Sequence, residues 1–284
     1  MRRIVEAALA REEQARRGGG TWQGWRENGA LLAASLPLLL FLALPLVALV
    51  LRVSPANVLA NVMDRTVAQA IGLSMVTTAI TTVVTIAAGT PIAYLLARRR
   101  FRGWAAVDTL IDLPMVLPPS VAGIALLVAF GRRGLLGPVL TDLGIEVAFT
   151  QAAVVLAQTF VAAPFYVKAA MVGFAGVERE LEQAAALDGA SGRQVFRYVT
   201  LPLSGTALVG GAVMTWARAL GEFGATIIFA GNFPGRTQTM PLAIYLGFEM
   251  ELNVALTLAV ILLALSFAVL FVVKGVLRQH LAVL

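Results

Sequence analysis

At 284 residues, with 59% hydrophobic residues and a mean hydropathy of +0.84, the chain is too apolar for a water-soluble domain and long enough for several membrane spans. Charged residues are only 13%, and the net charge of +6 sits mostly at the flanks of apolar runs, with no aromatic-interleaved basic groove for nucleic acid. There is no cysteine, which excludes disulfides and thiolate metal sites.

Residues 1–29 are polar and Arg-rich, with Gly18, Gly19 and Gly20 as a joint. Glu6, Arg11, Glu12 and Glu13 interrupt the place where a secretory signal would carry its apolar core. The segment reads as a cytoplasmic tail, either a short amphipathic helix or plain disorder. Six apolar stretches follow, at about 30–51, 67–97, 105–130, 150–173, 203–230 and 252–274, each near the length that crosses a bilayer. The expected fold is an all-α, polytopic membrane protein. Its parts are a tail (1–29), a first helix with an external loop (30–66), a five-helix core (67–274) and a C-terminal tail (275–284).

Charge counting orients these spans. With the N-terminus inside, sixteen Lys and Arg lie on the inner side: six in the tail, Arg98, Arg99, Arg100, Arg102, Lys168, Arg179, Arg193, Arg197, Lys274 and Arg278. Five lie outside (Arg52, Arg65, Arg132, Arg133, Arg236), and Arg218 falls within a span. The excess places both termini in the cytoplasm. External loops are then expected at 131–149 and 231–251.

The second stretch is threonine-rich, with Thr77, Thr78, Thr81, Thr82 and Thr85. The third opens on Asp112-Leu113-Pro114-Met115-Val116-Leu117-Pro118-Pro119-Ser120. Prolines lack an N–H, so this helix must break or kink, and broken backbone at membrane depth has to be packed on protein or line a cavity. It reads either as part of a substrate path or as a structural kink.

Between the fourth and fifth stretches runs QAAALDGASGRQVFRYVTLP, Gln183 to Pro202, in a polar interruption of the apolar sequence. Residues 178–188 are strong helix formers, Gly189 can close that helix in a left-handed conformation, and Ser191 can cap a second helix running toward Tyr198. The order Gln183-Ala184-Ala185-x3-Gly189-x9-Val199-x-Leu201-Pro202 resembles the EAA motif of ABC importer permeases. The leading Glu of that motif is Gln183 here, with Glu182 just before it. The resemblance implies a coupling-helix loop that docks into a groove on a separate ATPase.

The fifth stretch carries Ala217-Arg218-Ala219-Leu220-Gly221-Glu222-Phe223-Gly224-Ala225-Thr226. Arg218 and Glu222 share a helical face, and intramembrane ionisable groups avoid lipid. The pair reads as a lining of the path or as an ion pair locking this helix to its neighbours or a second copy. With the 234–241 run PGRTQTMP and the Leu113-Pro114-x3-Pro118-Pro119 segment, it is similar to the molybdate, tungstate and sulfate branch of those permeases, over roughly residues 67–274. The run LPMVLPPSVAG and the short chain favour molybdate within the branch.

The resemblance implies a prokaryotic plasma or inner membrane assembly. Two permease copies would stand in membrane lipid with two ABC ATPase subunits below and an extracytoplasmic oxyanion-binding protein above. Candidate path residues are Pro118, Pro119, Ser120, Arg218, Glu222 and Thr226. Neither a G-x4-GK[ST] loop, an HExxH nor a Ser/His/Asp set occurs, so the chain is expected to be no enzyme and to carry no cofactor or metal. The one histidine, His280, sits near the C-terminus. A reading of another class is an ion-gradient-driven transporter or channel. It would need a relay of intramembrane carboxylates, where the sequence offers Glu222, Asp112 and Asp108.

Overall fold

The computed structural model describes residues 22–281, which contain helices and no strand. They fall into two units, residues up to Arg52 and residues from Val53 onward. The first unit is α1 (Trp22–Arg52), a helix of 31 residues with Pro37 and Pro45 inside it. The expected span at 30–51 lies within it, and most of the N-terminal tail lies outside the described residues.

The second unit begins with α2 (Pro55–Val62) and α3 (Arg65–Arg98). Asp64 starts α3 by accepting the N–H groups of Thr66 and Val67 at 2.8 and 3.2 Å. At 34 residues α3 is about 50 Å long, more than the hydrocarbon thickness, so its ends stand clear of it. The threonine-rich face is buried: Ser74, Thr77, Thr78, Thr81 and Thr85 all point inward. Thr77, Thr78 and Thr82 turn their hydroxyls back onto carbonyls one turn earlier, so the helix supplies most of its own partners.

Then come α4 (Trp104–Val116), α5 (Pro119–Phe130) and a short α6 (Gly137–Asp142). The expected third span is the pair α4–α5, which turns through 118° at Leu117–Pro118. That is far more than a kink, because Pro118 and Pro119 together remove two N–H donors and force extended backbone on Leu117.

The central element is α7 (Gln151–Ala175), which packs against α3, α4 and α5 on one side of the chain order and later helices on the other. Small residues allow this. A Cβ on Gly89 would come within 3.0 Å of the Tyr166 ring, and one on Gly173 within 2.6 Å of Ala207 Cβ. After α7 come α8 (Arg179–Leu187), α9 (Gly192–Val195), a π turn at Phe196–Thr200 and α10 (Leu201–Leu203). The expected second helix from Ser191 is present, although it widens into the π turn.

The expected fifth span, 203–230, is broken twice. The Gly192–Leu203 run and α11 (Gly205–Leu220) meet at 70° around Ser204, and α11 stops at Gly221 before α12 (Gly224–Phe229). α11 packs on α7 and α3, and α12 on α5 and α7. The segment expected as an external loop at 231–251 is different in the structure. Thr237, Gln238, Thr239 and Met240 are buried, and α13 (Met240–Met250) packs on α3 and on α14 (Leu252–Leu281). The physical reason is apolar: Met240 and Ala243 complete a core cluster with Val67, Ala70, Leu220 and Leu258.

Among the described residues, four helices are long and apolar enough to cross a membrane, and the total reaches six if each bent pair is one span.

Candidate functional site: two helix breaks and a coupling end

The ends of the second unit collect different loops. At one end Arg98, the last residue of α3, donates to Val177 O at 3.2 Å and to Glu182 Oε1 at 2.8 Å. Thr200 Oγ1 donates to the same Glu182 oxygen at 2.6 Å. Tyr94, Phe174 and Phe196 stack edge to face beneath them. Glu182 therefore fastens both arms of the 178–203 segment to the end of α3. At the other end Asn61 Nδ2 donates to Thr257 Oγ1 at 2.9 Å, and Phe149 meets both Phe229 O and the Phe233 ring. The loops counted as inner and outer from their Lys and Arg thus gather at opposite ends.

Within the 178–203 segment, α8 ends at Asp188 and the chain reverses at Gly189, whose φ is +89°. Only glycine takes that conformation without steric cost. Space around it is open, with no atom within 4 Å of an added Cβ. Ser191 caps α9, and its N–H donates to Gln194 Oε1 at 2.8 Å, closing a capping box. Gln183, Ala184 and Gly189 are exposed, as is Pro202, whereas Ala185, Val199 and Leu201 are half-buried toward the bundle. Leu187 and Tyr198 stand out at 88% and 69% exposure, a large apolar outlay for side chains with no cover in the protomer. Gln183 also lines a recess with Tyr94, Arg98 and Val195.

The second candidate set lies where the two broken spans meet. Gly224, the first residue of α12, lies directly on Pro119, the first residue of α5; an added Cβ would approach Pro119 Cβ at 2.6 Å. One turn on, Gly123 sits against Ala225 O, at 2.8 Å from the Cβ it lacks. The structure therefore brings the Pro118–Pro119 break and the Gly221–Phe223 break onto each other. Pro118, Pro119 and Ser120 are exposed.

Glu222 sits between α11 and α12 and is 1% exposed. One oxygen accepts the Ala225 N–H at 2.8 Å, which caps α12, and the other takes Arg218 Nη1 at 2.8 Å. Arg218 is 30% exposed, so the guanidinium is held on one side and open on the other. The pair is both a structural tie and a positioned cation. Thr226 is wholly buried in α12, and its hydroxyl finds no hydrogen-bond partner among the described residues.

Two clusters escape a residue-by-residue sequence reading. One is the Arg98–Glu182–Thr200 knot. The other is Lys168 on α7, which meets Asp108 at 2.7 Å and Asp112 at 2.8 Å on α4. The signal for the second was available. Asp108 and Asp112 are one turn apart in one apolar run, and the lone Lys168 lies at a matching depth in the next.

Comparison with known proteins bears on this geometry. The family described as "Binding-protein-dependent transport system inner membrane component" matches residues 89–282. The molybdenum transport system permease protein ModB of Mycobacterium tuberculosis H37Rv is 44% identical over 232 residues, which cover 80% of this chain and 86% of that one. ModB of Escherichia coli K12 is 43% identical over 178 residues, 62% of this chain and 78% of that one. Among solved structures, a bacterial ABC transporter involved in import of the acidic polysaccharide alginate superposes with a TM-score of 0.71 at 14% identity. The match covers 90% of this chain and 96% of the solved one. An inward-facing MetNI methionine ABC transporter gives 0.60 at 18% identity over 76% of this chain and 97% of that one. At those identities the solved structures speak for the fold.

Proposed function

Since the chain belongs to the binding-protein-dependent transport system inner membrane components, and is thus a multi-pass permease of ABC importers, we propose that its cargo is molybdate. The observation that carries this reading is the 44% identity, across most of both chains, to a relative named for molybdenum transport. Two copies would enclose the path, two ABC ATPase subunits would bind below, and an extracytoplasmic oxyanion-binding protein would deliver from above.

The residues divide the work in that assembly. Gln183, Ala184, Gly189 and Pro202, with Leu187 and Tyr198 beside them, present the surface that enters the ATPase groove; Ala185, Val199 and Leu201 seat it on the bundle. ATP binding closes the two ATPase subunits, draws the two docking segments together, and rocks the path from inward- to outward-facing. A path must attract its ion enough to admit it and weakly enough to release it. Arg218 suits this, because Glu222 already cancels much of its charge. Ser120 and the backbone beside Pro118 and Pro119 add neutral contacts. Thr226 would join them in a state that parts α12 from α5.

The test is the ATPase rate of the reconstituted complex with receptor loaded by molybdate, tungstate or sulfate. Stimulation by molybdate-loaded receptor is expected. A response to sulfate or tungstate alone would move the chain to that cargo. No response to any of the three, with uptake that follows an ion gradient, would overturn the importer reading.

A further inference from the structure

The Lys168 cluster lies outside the docking segment and outside the paired breaks, yet it stands between them. Among the described residues, no side chain of α4 is buried, and the helix packs chiefly on α7. Lipid tails solvate an apolar helix as well as protein does, so apolar packing alone gives α4 little reason to hold one place. Two polar ties fix it. Trp104 Nε1 donates to Leu96 O at 3.0 Å and pins the start of α4 to the end of α3. Lys168 then grips Asp108 and Asp112 from α7, at side-chain exposures of 27%, 22% and 44%.

The mechanics follow from helix geometry. Asp108 and Asp112 are about 6 and 12 Å along α4 from Trp104, and the free end at Val116 is about 18 Å away. α4 is a lever pinned at Trp104, driven at the two carboxylates, with Leu117–Pro118 at its tip. Its driver, α7, runs at Ala175 straight into the docking segment, and its tip carries Pro119 against Gly224.

We propose that Lys168 is a positioning residue for transport: its double pairing passes displacement of the docking segment through α4 to the paired helix breaks. This rests on the importer function proposed above. With the clasp intact, α4 follows α7 and the breaks move with each ATPase cycle. Without it, α7 slides past α4 and the cycle turns over with the breaks left in place.

The experiment uses the full complex in proteoliposomes and measures both receptor-stimulated ATPase and oxyanion taken up per ATP. For Lys168→Met, ATPase should stay within about twofold of the parent while uptake per ATP falls at least about tenfold, a coupling loss of ordinary allosteric size. Lys168→Arg should keep the native ratio. Parallel loss of ATPase and uptake, or an unchanged ratio, overturns the proposal. If Lys168→Met fails to insert, the exchanged pair Lys168→Asp with Asp108→Lys decides. Native uptake per ATP supports the clasp, and an assembled but uncoupled exchange overturns it. A parent complex without receptor-stimulated ATPase would instead sink the importer reading, so the two failures are distinguishable.

Discussion

Glu222 shows how one side chain serves two structural demands. It accepts the N–H of Ala225 at the start of α12 and holds Arg218, while 1% exposed. Replacing it by alanine leaves a helix start uncapped and a part-buried guanidinium without its counter-charge. Glu222→Ala should therefore cost about 2 kcal/mol, below the roughly 3–5 kcal/mol for breaking a fully buried pair, because Arg218 keeps some solvent. The check is the thermal midpoint of the purified permease in detergent, alongside uptake. Loss of uptake is expected together with the lowered midpoint; a native midpoint would mean that α12 needs no cap. The spacing of Arg218 and Glu222 was readable in the sequence as a shared helical face. The Ala225 cap was not readable, since it depends on the helix stopping at Gly221, which no local propensity dictates.

Among elements, the 178–203 segment was the most legible. Glycine at 189, serine at 191 and the alanine run before them each have a local job, and the structure shows the left-handed turn, the capping box and the exposed helix. Local chemistry suffices there because the turn at Gly189 stands in open space, clear of the rest of the chain. α13 was illegible for the opposite reason. It is short, it follows a polar strap, and its burial comes from Val67 and Leu258, distant in sequence. The 118° turn of the third span was half legible: the prolines announced a break, but its size is set by Gly224 lying against Pro119. At this scale Gly189→Val is informative. The added side chain meets open space, so its penalty is confined to the left-handed backbone, about 1–2 kcal/mol. The permease should insert and assemble normally while receptor-stimulated ATPase and uptake are lost, read from membrane content and both rates. Unchanged uptake would remove Gly189 from the docking surface.

At the largest scale, the two ends of the second unit differ in kind: an ionic knot at Arg98, Glu182 and Thr200, and neutral amide and aromatic contacts around Asn61 and Phe149. The Lys and Arg excess predicts which end faces the cytoplasm. A chain without cysteine allows a direct check. Ser191→Cys should resist a membrane-impermeant maleimide in intact cells and react once the membrane is opened, whereas Leu135→Cys should react at once; the reverse pattern would invert the topology. The Lys168 clasp also bears on biogenesis. Its carboxylates precede its lysine by 60 residues at Asp108, so α4 reaches the membrane about 3–12 s before its counter-ion at ordinary rates of synthesis. During that interval two carboxylates, each costing up to about 3 kcal/mol at mid-span, have no cation to meet. α4 is thus the half of the third span whose insertion waits on a later helix. A nascent chain halted after α4 has left the ribosome but before Lys168 has should leave α4 at the membrane surface and open to proteases, whereas one extended past α7 should protect it.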